Sequence, residues 1–185
     1  MPKTGRKKGK GRKGKTEEED IIRQQKVEEV KRRFDYLYEI YDPDDSGAIP
    51  EEHFGNFVRS LGLYPTNAKL KELSSICREE EGQAFFNAQK LETELIPLVI
   101  EAMLEPNSEL AAPSEEMLLM ALKSLDVEHK GHLTEGDFRT ILSSNGEKLD
   151  PVELQPAVEE ALNEKKGVVD LERYAGKLLY NVKIF

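Results

Sequence analysis

The sequence predicts an all-α fold of eight helices, grouped into four helix–loop–helix pairs that form two lobes. Apolar residues recur at helical spacing in eight segments, and glycine, proline or clustered polar residues separate these segments. Each pair of segments flanks a short polar loop, and the second half of the chain repeats the plan of the first half. A chain of 185 residues can bury a hydrophobic core in each half.

The first lobe is expected to cover residues 17–104. Its first helix, 17–41, begins with acidic residues, which favour a helix N-terminus, and continues with apolar residues at helical spacing. Gly62 ends the second helix, and Thr66 is placed to cap the third by accepting a backbone hydrogen bond. A leucine-rich stripe over 91–103 forms the fourth helix.

A linker at residues 105–113 and a second lobe at residues 114–185 follow. Two prolines in the linker make a continuous helix across it unfavourable. Ser114 is placed to cap the fifth helix. Asp150 and Glu153 flank a proline in the pattern of a capping box, which marks the start of the seventh helix.

Positive charge is concentrated at the N-terminus. Eight of the 27 basic residues lie within residues 1–15, which contain no acid, so residues 16–185 carry 19 basic and 36 acidic residues and a net charge of −17. Residues 1–16 have too little apolar surface to fold alone and are predicted to form a disordered arm. The arm is expected to contact a polyanion such as nucleic acid, acidic lipid or an acidic filament surface, and a solubilising or nuclear-import-like segment is the alternative. Its basic residues are Lys3, Arg6, Lys7, Lys8, Lys10, Arg12, Lys13 and Lys15.

Composition argues against several classes of protein. No apolar run approaches the ~20 residues that span a bilayer, and no signal-peptide pattern follows the N-terminus. The single cysteine, Cys77, cannot form an internal disulfide and is expected in the core. The three histidines fall in loops and complete no Ser–His–Asp or Cys–His constellation. We therefore expect a soluble intracellular protein without enzymatic activity.

The first loop, residues 42–53, matches the twelve-residue calcium loop of an EF-hand. Gly47 stands at position 6, where the chain bends sharply, and Ile49 stands at position 8. His53 replaces the bidentate glutamate expected at position 12, which removes two oxygen ligands and a negative charge. We expect calcium to bind weakly at this loop and to be dispensable as a cofactor. The candidate ligands are Asp42, Asp44, Ser46 and, through its carbonyl, Ala48.

The other three loops depart further from the calcium-binding pattern. The second loop has two registers, with Phe85 or Phe86 at position 8, and neither puts an acid at position 12. The third loop places Lys130 at ligand position 5, where a cation opposes metal binding. The fourth loop, residues 162–173, has no acid at either end. The acidic candidates in the third loop are Asp126, Glu128 and Asp137.

An apolar residue at position 8 is retained in every loop. We predict that these residues form short β-bridges between paired loops, because the two loops of a lobe lie side by side. Ile49 is then expected opposite Phe85 or Phe86, and Leu133 opposite Val169. The framework of the lobe is retained where metal ligands are lost.

Beyond the loops, the chain resembles calmodulin over residues 27–182. Residues 57–62 followed by 65–66 are similar to the calmodulin segment that joins its first two hands, and residues 145–149 are similar to the joint between its last two. The sequence also resembles the small EF-hand subunit of the nexin–dynein regulatory complex, which links doublet microtubules in motile cilia. The features shared with that subunit are the acid-rich second loop at 79–81, Met-Leu-Glu at 103–105, and the pattern from Pro113 to Leu119 followed by Asp126.

The resemblance implies a structural role in the axoneme of a cilium or flagellum. It implies that the lobes grip an amphipathic or coiled-coil helix of a larger axonemal protein without calcium, and that the basic arm contacts the microtubule surface. Of the polyanions named above for the arm, the resemblance selects the filament surface, so neither a membrane nor nucleic acid is expected as a partner. The groove residues assigned to the partner helix are Phe34, Leu37, Phe57, Met103, Met117, Met120, Phe138 and Leu142.

Two alternatives use the same lobes. A myosin-type light chain clasps a helix of a motor heavy chain, but this function gives the basic arm no role. A calcium sensor of the centrin or troponin type can carry a basic arm, but it needs an acid at position 12, which only the third loop retains.

Overall fold

The described part of the chain folds into eight helices and four short strands, as the sequence predicts. The computed structural model describes residues 11–105, 107–163 and 165–183. The helices are α1 (Gly11–Tyr41), α2 (Glu51–Ser60), α3 (Asn67–Cys77), α4 (Ala88–Leu104), α5 (Glu115–Leu125), α6 (Glu135–Ser144), α7 (Pro151–Ala161) and α8 (Leu171–Lys183). The strands are β1 (Ala48–Pro50), β2 (Phe85–Asn87), β3 (His132–Thr134) and β4 (Val168–Asp170). Within these described ranges, no helix is both long and apolar enough to cross a membrane.

Helix α1 begins at Gly11, earlier than the predicted start at residue 17. Lysine and arginine have high intrinsic helix propensity. The basic segment can therefore extend the helix, although each glycine within it costs about 1 kcal/mol. The predicted disordered arm, residues 1–16, overlaps α1, and its first ten residues lie outside the described part of the chain.

Three predicted helix starts, those of α3, α5 and α7, are confirmed by their caps. The Thr66 hydroxyl accepts a hydrogen bond from the Lys69 N–H at 3.2 Å. The Ser114 hydroxyl accepts one from the N–H of Met117 at 3.2 Å. The Asp150 carboxylate and the side chain of the acid three residues later form the complete capping box. Each cap satisfies N–H groups that the helix itself leaves without partners.

The β-bridges between paired loops are confirmed, and their register is settled. Strand β1 pairs antiparallel with β2, and Ile49 lies opposite Phe86 rather than Phe85. Strand β3 pairs antiparallel with β4, and Leu133 lies opposite Val169. Burial decides between the two phenylalanines, because Phe86 is 1% exposed and Phe85 is 44% exposed. Successive side chains of a strand point to opposite faces, so only one of the two can enter the core.

Each lobe has its own hydrophobic core. The first core is rich in aromatic residues, and it includes Cys77, as predicted. Its members include Phe34, Phe54, Phe57, Phe86, Leu61, Leu63, Leu91 and Leu95. The second core contains smaller and fewer fully buried side chains, namely Leu122, Leu133, Phe138, Val158, Ala161, Val169, Leu171 and Ala175. Leucines and isoleucines that are only half buried surround this second core.

The helices pack differently in the two lobes. In the first lobe, α1 contacts both α2 and α4, and α3 contacts α4, so the two helices of each hand lie against one another. In both lobes the most extensive helix contact joins different hands, α1 with α4 in the first lobe and α5 with α8 in the second. In the second lobe α6 also contacts α7, and the two helices within each hand share few contacts. The second lobe therefore has the more open hands.

Candidate functional site

The first loop is closed by its own first residue. One carboxylate oxygen of Asp42 accepts hydrogen bonds from the Ser46 N–H at 2.9 Å and the Ser46 hydroxyl at 2.7 Å. The other oxygen accepts the Gly47 N–H at 2.7 Å. Gly47 has a φ of +77°, which lets the chain turn its N–H groups inward. The loop thus holds a preformed turn with one acid at its centre.

Hydrogen bonding keeps the Asp42 carboxyl charged. The Ser46 hydroxyl, followed by the backbone N–H groups of Ser46 and Gly47, lowers its pKa below the ordinary value, and burial opposes this effect. Burial and the charge of this carboxylate together raise the pKa of the nearby Tyr38 phenol to about 12. The first loop therefore presents a fixed negative charge beside a neutral phenol.

The first loop assembles only part of a calcium site. The Ser46 hydroxyl lies 2.7 Å from Asp42 Oδ1 and 3.2 Å from the Ala48 carbonyl, so three of the candidate ligands are close together. At position 12, the His53 ring packs 6.0 Å from the Tyr41 ring. In the described residues, no three His, Cys, Asp or Glu side chains form a group that could hold a metal. The first loop thus brings three of its four candidate ligands together, and weak calcium binding there stays a prediction.

An arginine closes the second loop. The Arg78 guanidinium donates to the Gln83 carbonyl and the Glu51 carboxylate, and to the Ser74 hydroxyl at 3.3 Å. It also lies over the ring of Phe86, 5.1 Å from the centroid, and its side chain is only 16% exposed. The charged guanidinium of Arg78 thus joins the second loop to α2 and α3.

The sequence pattern did not reveal this role of Arg78. The register with Phe86 at position 8 puts Glu79 at position 1 and Arg78 just before the loop. An arginine directly before an acid-rich loop was the available signal, since it has both a nearby carboxylate and an aromatic ring to contact.

The third loop contains acids that are already bonded. Asp126 accepts the Gly131 N–H at 2.6 Å, and Asp137 accepts the Thr134 hydroxyl at 2.6 Å. Glu128 forms an ion pair with Lys130, which raises the pKa of that lysine. The three predicted acidic candidates therefore have protein partners.

The fourth loop is also closed by an arginine. Arg173, at position 12, donates to the carbonyl of Leu162, at position 1, over 3.3 Å. The two ends of the loop are thus joined by a guanidinium, where a calcium loop would join them through the metal.

The structure divides the predicted groove residues into three groups. Phe34, Leu37, Phe57 and Phe138 lie inside the two cores and are at most 3% exposed. Met103 and Leu142 are half buried at the edges of the cores. Met117 and Met120 are 54% and 67% exposed on α5. In the closed first lobe the predicted groove is filled by its own aromatic side chains.

A cleft opens beside α5 in the second lobe. It has a volume of about 640 Å³ and lies between the end of α5 and α6. Leu125, Leu133 and Ile141 contribute apolar surface to it, and the third loop contributes polar groups. The cleft and the exposed methionines lie in the same hand, where α5 and α6 are separated.

Most of the predicted basic arm lies outside the residues that the structure describes. The residues from Lys3 to Lys10 lie outside the described residues, and Arg12, Lys13 and Lys15 lie in the first turns of α1. Their contact with a polyanion stays a prediction.

Comparison of sequences finds relatives among small calmodulin-like proteins, while no protein-family model matches the chain. The chain is 30% identical to the probable calcium-binding protein CML14 of Arabidopsis thaliana over 76% of this chain and 86% of that protein. It is 24% identical to mouse dynein regulatory complex protein 8, over 80% of this chain and 87% of the mouse protein. It is 28% identical to myosin 1 light chain cam2 of Schizosaccharomyces pombe, over 76% and 87%.

Solved structures show the same fold. The myosin II regulatory domain of Physarum polycephalum matches with a TM-score of 0.59 at 23% identity, over 82% of this chain and 94% of that chain. Mlc1p bound to IQ2 of Myo2p, a class V myosin, matches with a TM-score of 0.57 at 21% identity, over 77% and 94%. The order of eight helices, the paired loops and these relatives agree, and the chain belongs to the calmodulin-like EF-hand superfamily.

Proposed function

We propose that this protein is a non-catalytic subunit of the axonemal nexin–dynein regulatory complex, where it grips an amphipathic helix of a larger protein. The observation that carries the proposal is the open second lobe, which exposes Met117 and Met120 on α5. The same hand contains a cleft with apolar surface from Leu125, Leu133 and Ile141 and polar groups from the third loop. Flexible methionine side chains adapt well to the apolar face of a helix. The described part of the site therefore offers apolar surface on which a helix can bind.

Calcium is not the source of this binding. In calcium sensors of this superfamily, metal binding drives the opening of the hands. Here the helices within each hand of the second lobe share few contacts, while Lys130 and Arg173 form intramolecular contacts within its loops. The partner helix itself supplies the binding energy, so binding is constitutive, and any calcium taken up by the first loop is weak and unnecessary.

The uneven charge of the chain supports two kinds of partner, a basic helix for the acidic lobes and an acidic filament for the basic arm. Residues 16–185 carry a net charge of −17, which favours helices that combine an apolar face with basic residues. The basic arm, by contrast, suits the acidic surface of a microtubule. The mouse relative is named as a dynein regulatory complex protein, and this name supports the proposed function in motile cilia or flagella.

A light chain of a myosin is the second candidate. The relative in Schizosaccharomyces pombe is a myosin 1 light chain, at an identity similar to that of the mouse protein. A structural neighbour is bound to an IQ segment of a class V myosin. Both functions use a lobe that grips a helix, and they differ in the larger protein that provides it.

An affinity pull-down from ciliary extract tests the proposal. The tagged protein is compared with a Met120→Asp variant and with Val152→Asp, a control at an 81% exposed position on α7. We expect regulatory-complex subunits to be recovered with calcium and with chelator, and to be lost only with Met120→Asp. Recovery of a myosin heavy chain in their place would move the assignment to the light-chain function, and recovery only with calcium would contradict constitutive binding.

A further inference from the structure

The segment between the lobes folds against the first lobe. We call residues 107–113 the strap. Two hydrogen-bonded turns shape this part of the chain, from the Ser108 N–H to the Glu105 carbonyl at 2.8 Å and from the Ala111 N–H to the Ser108 carbonyl at 3.0 Å. Leu110, in the middle of the strap, is 5% exposed and is part of the first core. A segment predicted as a simple linker therefore contributes to the packing of a lobe.

Polar contacts fix the strap to the connector between α2 and α3. The Tyr64 N–H donates to the Leu110 carbonyl at 3.0 Å. Lys69, in the first turn of α3, lies 3.6 Å from the carboxylate of Glu109. Burial raises the pKa of the Tyr64 phenol, which agrees with a covered connector. Both the backbone and the side chains of the strap thus contact the same short stretch of the lobe.

The connector is also held from its other side. A guanidinium nitrogen of Arg33, on α1, donates to the Leu61 carbonyl at 3.4 Å. Leu61 and Leu63 within the connector are fully buried. To open the first lobe, α2 and α3 must move away from α1 and α4, and the connector must move with them. That movement breaks the contacts with Arg33 and with the strap.

We propose that the strap is an intramolecular occupant of the first lobe. Leu110 belongs to the same buried cluster as Phe34, Leu37 and Phe57, the residues that a helix-binding groove in this lobe would have to expose. While the strap is docked, the first lobe is unavailable, and the partner helix binds to the second lobe alone. The statement that the partner helix binds only to the second lobe rests on the proposed function. The statement that the strap occupies the first lobe concerns only the fold.

Amide hydrogen exchange tests the strap without any partner. In Leu110→Ala, exchange at the Tyr64 N–H should rise by about tenfold or more, because the acceptor is released and local opening becomes easier. Leu110→Met, which nearly keeps the side-chain volume, should retain protection. Leu104→Ala, at a 42% exposed position before the strap, is the control and should leave the rate unchanged. Equal exchange in Leu110→Ala and Leu104→Ala would overturn the proposal.

Local release must be distinguished from loss of the fold. Amides of the β3–β4 ladder, between Leu133 and Val169, report on the second lobe. They should exchange at the wild-type rate in Leu110→Ala, since the strap contacts the first lobe. If these amides accelerate together with Tyr64, the strap is part of one cooperative core and not a separable occupant, which also overturns the proposal.

Calorimetric titration with a synthetic amphipathic helix built from leucine and lysine, in chelator, measures the number of available lobes. Wild type should bind one peptide per chain, and Leu110→Ala should bind two. Two peptides on wild type, or one on both proteins, would overturn the statement that the strap excludes the helix. If wild type and variant bind none, the proposed function fails, and the exchange result alone decides whether the strap covers the lobe.

Discussion

The two lobes share one plan but fill it differently. Stacked and edge-to-face rings occupy the first lobe, with Phe54 and Phe86 at 4.2 Å and Phe34 and Phe57 at 5.4 Å between centroids. The second lobe has one such pair, Phe138 with Tyr174, among the described residues, and half-buried leucines line the rest. Aromatic side chains provide large buried area at fixed geometry, whereas exposed methionines and leucines provide an adaptable surface. This difference supports the proposal that the second lobe binds the partner helix while the first lobe stays filled.

Within each lobe, the first loop and the second loop are held in shape by different groups. In the first loop of each lobe, an aspartate at position 1 is bonded by N–H groups of its own turn. In the second loop of each lobe, an arginine holds the loop, Arg78 in one and Arg173 in the other. A guanidinium is a permanent cation with several donors, so it can join loop segments without a metal. The paired loops therefore keep their shape by internal contacts.

The largest expected loss of stability comes from a substitution in the aromatic core of the first lobe. Phe86→Ala removes a ring that stacks on Phe54, contacts Arg78 and lies opposite Ile49, and it should lower the free energy of unfolding by about 3–5 kcal/mol. Phe85→Ala, at the neighbouring exposed position, is the matched control and should change it by less than about 1 kcal/mol. Urea unfolding followed by circular dichroism measures both. Similar losses in the two variants would contradict the register of β1 and β2.

Removal of the arginine that closes the second loop should have an intermediate effect. Arg78→Ala breaks contacts with Gln83, Glu51 and the Phe86 ring, and we expect a loss of about 1–2 kcal/mol in the free energy of unfolding. Arg78→Lys should recover little, because an ammonium group lacks the planar fork. Arg59→Ala, which removes an exposed hydrogen bond at 3.5 Å to Asn67, is the control. An equal loss in Arg78→Ala and Arg59→Ala would show that the second loop does not need a guanidinium.

The first loop should make stability depend on pH. The pKa of Asp42 is lowered in the folded protein, chiefly by the Ser46 hydroxyl, so its stabilising contribution is complete above the unfolded value of about 3.9 and is lost as pH falls through the lowered pKa. Asp42→Asn should be less stable than wild type at neutral pH, and the gap should narrow in acid. Thermal unfolding over a pH series measures the gap. A gap that is constant into acid would contradict the assigned charge.

The smallest change in the stability of the metal-free protein is expected from a substitution that restores the acid at position 12 of the first loop. His53→Glu restores an acid at position 12 beside Asp42, Ser46 and the Ala48 carbonyl, and calcium affinity should increase by roughly an order of magnitude or more. Lys90→Glu restores the same position in the second loop and should create no site, because Arg78 remains there. Calcium titration by calorimetry compares them. Equal gains in the two variants would contradict the difference between these loops.

Much of the fold could be predicted from the sequence because its signals are local. Helical spacing and caps such as Thr66 and the Asp150 capping box fixed the helices, and position 8 of the loops predicted the two β-pairs. Pattern alone left Phe85 and Phe86 equivalent, since both are apolar and adjacent. Only the packing of Phe86 against Phe54 distinguishes them.

The candidate site could be predicted only in part, because it depends on contacts between distant segments. The distance in sequence from Glu51 to Arg78, and from Tyr64 to Leu110, hides these contacts from any local pattern. The predicted groove contained residues from both lobes, yet Phe34 and Phe57 lie in a filled core while Met117 and Met120 are exposed. Periodicity shows which face of a helix is apolar and does not show whether the lobe is open.

Methyl NMR of the full chain, titrated with the leucine–lysine helix in chelator, tests most directly whether the second lobe binds a helix without calcium. We expect chemical-shift changes at the methyl groups of Met117, Met120 and Leu142, and unchanged signals at Leu37 and Leu61 in the first lobe. Changes confined to Leu37 and Leu61, or changes anywhere that require calcium, would contradict the account.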